Sequence, residues 1–182
     1  MKKKRTLVTP QSVIKKRRQQ VLLRQEYMML ILRAIFFILA IYIFFTKILC
    51  FVRVEGTQMF PALKDGDLTL CYSLPQQYRS NDIIVYEQNG QNHFGRIISV
   101  GGNDVNIDGS GDVKINGISE GGEIVYSTYK KGSISYPYHV PQDSVFVMGD
   151  YRKETRDSRS YGAIAKTQIK GKVLTILRRR GL

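Results

Sequence analysis

The pattern of hydrophobic and polar positions divides this chain into two parts. From Met28 to Phe45 the residues are almost continuously apolar, interrupted only by Arg33, and no polar face recurs at the spacing of a soluble helix. Such a run is close to the ~20 residues that cross a bilayer core, and an arginine near its polar end can reach the lipid headgroups. The pattern predicts one transmembrane helix over residues 28–50, with a buried soluble helix as the alternative.

From Phe51 onwards the helical pattern stops and short strand-like runs begin. Residues 67–73 alternate, with Leu68, Leu70 and Tyr72 on one face. Further runs of this kind cover residues 82–88, 94–100, 113–115, 144–148 and 172–177, and turn sequences such as KDGD, QNGQN and DGSGD separate them. The pattern predicts an all-β, mostly antiparallel domain over residues 51–182, with a small subdomain rich in Gly, Ser and Tyr inserted at residues 105–141.

The formal net charge of +13 is concentrated before and within the apolar run. Residues 1–50 contain eleven Lys or Arg and a single acid, Glu26, whereas the rest of the chain is nearly neutral. Because basic residues beside a membrane span mark its cytoplasmic side, we expect residues 1–27 in the cytoplasm and the β domain outside the cell membrane. Topology and anionic lipid account for this basic flank. Nucleic-acid binding by the KKRR sequence at 15–18 is the weaker alternative, and no nucleic-acid partner is expected.

Two further features limit the possible chemistry and processing. The sequence after the apolar run has no small-x-small cleavage site, which favours a retained anchor over a removed signal peptide. Cys50 and Cys71 have no metal or redox spacing, and His93 and His139 are isolated. We therefore expect no metal site and no cofactor, and the spacing leaves open whether the two cysteines are bridged.

Three sequence blocks in the β domain carry the candidate chemistry. They are GTQMFPAL from Gly56, FGRIISVGGND from Phe94 and GDYRKETRDSRSYG from Gly149. Together with the anchor, they resemble type I signal peptidases, the membrane-bound enzymes that remove signal peptides from exported proteins. The third block is the most specific, because the family pattern G-D-x-R, four residues, D-S-R and a following glycine is matched by Gly149, Asp150, Arg152, Asp157, Ser158, Arg159 and Gly162.

The resemblance implies two catalytic positions that this sequence does not fill. Active members have a serine before the methionine of the first block and a lysine before the arginine of the second. A serine hydroxyl needs an adjacent base, and a lysine serves as that base when burial keeps it neutral. Here Gln58 precedes Met59, and Gly95 precedes Arg96. Since neither group can do this chemistry, we expect a pseudoenzyme with no catalytic residue.

The remaining family positions imply a scaffold and a groove. By resemblance, Arg96 pairs with Asp150 and Asp157 pairs with Arg159. The expected peptide-binding groove, which in this family takes an extended peptide as an added strand, consists of Thr57, Gln58, Met59, Pro61 and Gly95.

An active signal peptidase with a non-standard nucleophile is the alternative. Thr57 is adjacent to Gln58, but consecutive side chains of an extended segment face opposite ways, so its hydroxyl should point away from the groove. Ser99 lies on the same strand face as Gly95, but the motif places no lysine to activate it. Arg96 stays protonated and cannot be a base. Thr155 matches a position whose hydroxyl orients the lysine in active members, and it is equally well explained as a turn residue.

The resemblance also suggests a cellular role. Signal-peptidase-like proteins that lack the dyad occur with the sortase-assembled pili of Gram-positive bacteria, where they assist polymerisation of the backbone pilin. This implies a membrane-anchored binding or chaperone factor whose partners are the cell membrane, a pilin or another exported protein, and a sortase as a further candidate. A tethered regulator that captures signal peptides is a third hypothesis.

Overall fold

The computed structural model describes residues 10–74, 77–121, 126–153 and 156–178. It divides into two compact units, residues 1–45 and residues 46–182. The first unit is helical, and the second contains every strand that the structure describes.

The helical unit consists of α1, Pro10–Ile43, which a short π-helical turn, Phe44–Ile48, follows. After its first residue α1 contains neither glycine nor proline, and proline at the first helical position is favourable. The segment Arg17–Ile48 is long and apolar enough to cross a membrane, and its most apolar window, with a mean hydropathy of 2.6, is fully exposed. An apolar surface on all sides suits a lipid environment. Within the residues that the structure describes, one helix therefore has the properties of a membrane anchor or signal sequence.

The bounds of this helix differ from the expected span of residues 28–50. The helix begins at Pro10, because the basic residues before Met28 are also good helix formers. It gives way to a strand at Leu49, so that Leu49 and Cys50 belong to the β domain. The boundary between the helical segment and the strand at Leu49 depends on strand pairing with residues distant in sequence, so hydrophobicity alone does not predict it.

Eleven strands are described in chain order: β1 Leu49–Arg53, β2 Leu68–Tyr72, β3 Ile83–Gln88, β4 Gln91–Val100, β5 Asp104–Ile107, β6 Val113–Ile115, β7 Ile118–Ser119, β8 Tyr138–His139, β9 Ser144–Met148, β10 Ile164–Ala165 and β11 Ile169–Leu177. The larger sheet has seven strands in the order β1-β2-β11-β3-β4-β9-β10, and every pair in it is antiparallel. The prediction of a mostly antiparallel β fold with an N-terminal apolar helix is confirmed.

The second sheet lies in the chain between β4 and β9, in the order β7-β6-β5-β8. It occupies residues 104–139, where the composition predicts an inserted subdomain. Asp108 closes the turn between β5 and β6 by accepting hydrogen bonds from the backbone N–H groups of Ser110 and Asp112. The two sheets share one apolar cluster: Ile98, Val105, Ile107, Val113, Val140, Phe146 and Met148. The insertion is therefore packed against the main sheet.

Candidate functional site

The loop between β1 and β2 presents the first sequence block. Its ends are joined where the Val54 N–H donates to the Asp67 carbonyl oxygen and the Gly66 N–H donates to that of Val54. Met59 and Leu63 point inward and are 1% and 0% exposed, in a cluster with residues of β2, β3 and β4. Burying an apolar side chain contributes about 1.5–3 kcal/mol. Met59 and Leu63 thus anchor the loop and hold Gln58 at its surface.

Gln58 is half-buried and links the first block to the third. Its backbone carbonyl oxygen accepts a hydrogen bond of 3.0 Å from the N–H of Tyr151. Tyr151 follows Asp150, the acid of the GDYR sequence. The buried side chain of Met59 and the hydrogen bond from Tyr151 therefore hold the backbone at position 58 in place. The side chain at this position is a carboxamide, where the resemblance implies a nucleophilic serine.

A groove of about 500 Å³ lies beside Gln58. One wall is β1 and the residues that follow it, and the other is the first half of β4. Among the strands that the structure describes, β1 has a neighbour on one side only, and β4 pairs with β9 only from Arg96 onwards. Both walls thus present backbone edges that the sheet itself does not use. The lining consists of residues 51–56, Gln58, Met59 and residues 91–94.

Gln58 and Met59 are the only two of the five expected groove residues that line this cavity. Thr57 and Pro61 are exposed and outside the lining, because the loop turns immediately around Gln58. Gly95 is buried within β4 and also outside the lining. Thr57, Pro61 and Gly95 therefore lie beside or beneath this cavity.

Gly95 sits where two side chains have closed over the backbone. A Cβ at this position would lie 3.1 Å from Tyr86 Cε1 and 3.3 Å from Val147 Cβ. Tyr86 is 1% exposed, and its hydroxyl is 2.6 Å from that of Tyr161. Burial raises the pKa of Tyr86 far above its ordinary value. A side chain that began at this position would therefore press against a hydrogen-bonded tyrosine and a valine.

Arg96, the next residue, forms a bidentate ion pair with Asp150. Arg96 Nε lies 2.7 Å from Asp150 Oδ1, and Arg96 Nη2 lies 2.6 Å from Oδ2. The Arg96 guanidinium also donates to the carbonyl oxygen of Asn81. Hydrogen bonding to Asp150 raises the pKa of Arg96, so that Arg96 stays charged. The pair connects β4 to the third block.

Asp157 and Arg159 form a second bidentate pair, and it is almost completely buried. Their side chains are 1% and 0% exposed, with Arg159 Nε 2.8 Å from Asp157 Oδ1 and Nη2 2.7 Å from Oδ2. Asp157 also caps the short helix α2, Ser158–Tyr161, by accepting a hydrogen bond from the Arg159 N–H. Arg159 Nη1 donates to the carbonyl oxygen of Arg152. Full hydrogen bonding offsets the cost of burying these charges.

Sequence reasoning missed a third ion pair, which is buried like that of Asp157 and Arg159. Arg152 donates to both carboxylate oxygens of Glu120, at 3.1 and 2.8 Å, and to the hydroxyl of Thr128. The two charged side chains are 5% and 6% exposed. Arg152 belongs to the recognised block, but no local signal in the sequence identifies Glu120, because it lies in the inserted subdomain.

The residues considered as replacement catalysts are poorly placed. Ser99 is 0% exposed, and its hydroxyl donates to the Val100 carbonyl oxygen at 3.3 Å. Thr57 is exposed outside the groove lining. Thr155 lies outside the described residues. Within the described part of the chain, no group of three or more His, Cys, Asp or Glu side chains is arranged to hold a metal ion.

Comparison with known proteins agrees with the motifs. The family model described as "Signal peptidase, peptidase S26" matches residues 24–177. The signal peptidase I of Bacillus licheniformis is 30% identical over 65% of this chain and 70% of its own length, and that of Bacillus amyloliquefaciens is 28% identical over the same shares. A crystal structure of a signal peptidase I from Enterococcus faecalis aligns with a TM-score of 0.45 at 27% identity, over 55% of this chain and 98% of that one. The chain belongs to the signal peptidase family, peptidase S26.

Proposed function

We propose that this chain is a membrane-anchored, signal-peptidase-like protein that binds extended segments of exported proteins without cutting them. The observation that carries the proposal is the state of the two catalytic positions. Gln58 replaces the nucleophile, and Tyr86 and Val147 pack against Gly95 where the base would begin. An amide nitrogen shares its lone pair with the carbonyl group and does not attack a peptide bond. Glycine supplies no base.

The groove supports binding in the absence of cleavage. An extended peptide that enters it can pair with the unused backbone edge of β1 or of the first half of β4. Such strand addition draws its affinity from main-chain hydrogen bonds and requires neither a serine nor a lysine. The Gln58 carboxamide carries two donors and one acceptor and lies in the groove lining. A residue of this kind suits recognition of a peptide bond.

The proposed topology places the β domain outside the cell membrane. Basic residues precede the apolar helix and favour a cytoplasmic N-terminus. By the resemblance stated above, we propose that the bound partner is a pilin or another exported protein, with a sortase as a further candidate, in sortase-dependent pilus assembly. A chaperone role at the outer face of the membrane follows from these assignments.

An active signal peptidase with a non-standard nucleophile is the second candidate. It is favoured by the Bacillus relatives, both of which carry the name signal peptidase I. Thr57 carries an exposed hydroxyl next to Gln58, and this hydroxyl would be the nucleophile of such a peptidase. The buried, hydrogen-bonded Ser99 would first require the strand to open.

One experiment separates the two functions. The full-length protein in detergent micelles is incubated with a signal-peptide-bearing precursor, and both cleavage and binding of the precursor are measured. We expect retention of the precursor with no product above the blank. Product that the native chain forms and the Thr57→Val variant does not would establish the enzyme and overturn the proposal. Absence of both product and binding would place the partner surface outside the groove.

A pulldown from cells that express the pilin tests the partner. We expect the pilin to be retained by the native chain and lost when its own extended segments are deleted. Retention of unrelated exported proteins to the same extent would replace the pilus assignment with a general role in capturing exported chains.

A further inference from the structure

The two cysteines, which the groove does not use, lie directly opposite each other on neighbouring strands. Cys50 on β1 pairs with Cys71 on β2, in a register that runs without a shift along the whole of β1. Directly opposed side chains on an antiparallel pair project from the same face of the sheet. Both cysteines pack in the same apolar cluster. The two thiols therefore share one side of the sheet.

The backbone hydrogen bonds fix the separation of this pair. The Ser73 N–H donates to the Ile48 carbonyl oxygen, and the Val54 N–H donates to that of Asp67. Hydrogen-bonded and non-hydrogen-bonded pairs alternate along an antiparallel ladder. Cys50 lies two residues from Ile48 and four from Val54, so the cysteine pair is of the hydrogen-bonded type. The Cα atoms of such a pair are about 5.5 Å apart. Disulfides span Cα separations of about 4.4–6.8 Å. The two strands are thus already at a bridging distance.

Access differs between the two thiols. Cys71 is fully buried, and burial raises its pKa to about 12. Cys50 is half-buried and lines a cavity of about 480 Å³ that Glu87 and Lys170 also line. A reagent from solvent therefore meets Cys50 first, and Cys71 stands behind it as the resolving thiol.

We propose that Cys50 and Cys71 form a redox site, a dithiol that a thiol–disulfide oxidant outside the membrane converts into an intrachain disulfide. The Cys50 thiolate attacks the disulfide of the oxidant and releases one of its thiols. Cys71 then attacks Cys50 Sγ in the mixed disulfide, and the second thiol of the oxidant leaves with the Cys71 proton. The chain gives up two electrons and two protons, and the oxidant gains them. The location outside the membrane rests on the proposed topology.

The bond would act on the candidate groove. It closes the segment between residues 50 and 71, which contains the loop that carries Gln58 and Met59. It also fastens β1, the edge strand that forms one groove wall, to β2. A crosslink of this kind restricts the unfolded chain and the opening of the edge strand. The oxidation state of the two thiols thus sets how firmly the groove wall is held.

The test uses the full chain in detergent micelles, first reduced and then equilibrated with oxidised glutathione. Intact mass spectrometry and thiol labelling after denaturation report the product. We expect the wild-type chain to lose two hydrogen atoms, to label at no thiol, and to remain monomeric on a non-reducing gel. Dithiothreitol should restore both thiols. Cys50→Ser and Cys71→Ala, each with a single thiol, are the matched controls and cannot form the product.

Three results would overturn the proposal: two thiols that still label after oxidation, a stable glutathione adduct on the wild-type chain, or crosslinks between chains only. Thermal unfolding supplies a second readout. The oxidised wild type should unfold about 5–10 °C above the reduced form, and Cys50→Ser should show no such difference. An oxidised chain with an unchanged unfolding temperature would refute the effect on the groove wall. No peptide enters either measurement, so the outcome is independent of the binding proposal.

Discussion

Tyr86 Cε1 lies 3.1 Å from the point that a Cβ on Gly95 would occupy. The hydroxyl of the same tyrosine is hydrogen-bonded to Tyr161 at 2.6 Å, which holds the ring in place. Gly95, which by the resemblance stands at the base position, therefore carries no side chain, and a Cβ there would press against Tyr86 and Val147.

This packing predicts the outcome of restoring the dyad. The Gln58→Ser, Gly95→Lys double variant should remain inactive, because the lysine stem must displace Tyr86 or Val147 from a closed core. Adding Tyr86→Leu removes the ring and its hydroxyl and leaves room for the stem. We expect precursor cleavage from the triple variant only, measured as the appearance of mature product on a gel. Equal cleavage by the double variant would show that Tyr86 does not close the site.

The close packing of Tyr86 and Val147 against Gly95 also predicts that a single methyl group at position 95 destabilises the fold. Gly95→Ala should lower the free energy of unfolding by about 1–3 kcal/mol, as overpacking of a filled core does. Gly109→Ala is the matched control, because nothing lies within 4 Å of a Cβ there. Urea unfolding of the β domain, followed by circular dichroism, measures both. A Gly95→Ala midpoint equal to that of Gly109→Ala would contradict the packing argument.

The buried pair of Asp157 and Arg159 should dominate the stability of the third block. Asp157→Asn leaves the fully buried guanidinium of Arg159 without its charge partner, and we expect a loss of about 3–5 kcal/mol in the free energy of unfolding. Asp143→Asn removes the carboxylate of an exposed pair with Lys166, in which the Asp143 side chain is 98% exposed. That change should fall within experimental error. Similar unfolding midpoints for the two variants would overturn the ranking.

Asp67 makes the loop that carries Gln58 sensitive to acid. Hydrogen bonds from Arg178 hold the pKa of Asp67 below its ordinary value of 3.8. The unfolded chain therefore takes up the proton first as the pH falls. The contribution of Asp67 to the free energy of unfolding is complete when the pH is above the ordinary pKa of the carboxyl group. It is lost as the pH falls through the lower pKa that Asp67 has in the folded chain.

Thermal unfolding between pH 7 and pH 3 measures this contribution. We expect the wild type to lose stability below about pH 4, and Asp67→Asn, already weakened at neutral pH, to lose less over the same interval. Asp143→Asn should keep the acid sensitivity of the wild type. Parallel curves for the wild type and Asp67→Asn would contradict the role of the pair.

The binding proposal predicts a specific role for the Gln58 amide. Gln58→Ala should weaken the binding of an extended peptide about tenfold, which corresponds to the loss of about one hydrogen bond. Ser133→Ala, an exposed change in the inserted subdomain, is the control. Peptides N-methylated at the groove position should bind more weakly still, because they cannot complete the strand pairing. Unchanged affinity for both the variant and the methylated peptides, measured by fluorescence anisotropy, would remove the groove from the mechanism.

Much of the fold could be predicted from local pattern. The apolar run from Met28 to Phe45 indicates a membrane-compatible helix, and period-two alternation indicates the strands, because both signals reflect which side chains meet water or lipid. The insertion is visible as a change in composition. The end of the helix was less accessible, since Leu49 and Cys50 join β1 only by pairing with β2.

The site was predictable only where motifs specify it. By the resemblance, the register of Met59 and Arg96 points to Gln58 and Gly95 as the two catalytic positions, and the second and third blocks contain the residues of two charge pairs. The ion pairs of Glu120 and Arg178 and the hydrogen bond of Tyr86 to Tyr161 were not predictable, since each joins residues far apart in sequence. The motif also did not predict that Thr57, Pro61 and Gly95 lie outside the lining of the cavity beside Gln58. Proximity in a motif does not determine on which side of a loop or strand a residue is buried.

The sequence by itself determined that this chain carries one apolar helix, a β domain of the signal peptidase family, and neither a serine nor a lysine at the dyad positions. These facts depend on residue identity and on local periodicity. The tertiary structure decided that Tyr86 and Val147 close the base position, that two unused strand edges flank the groove, and that Cys50 faces Cys71. Each depends on the register between strands that are distant in the chain, and that register is set when the sheet packs its core.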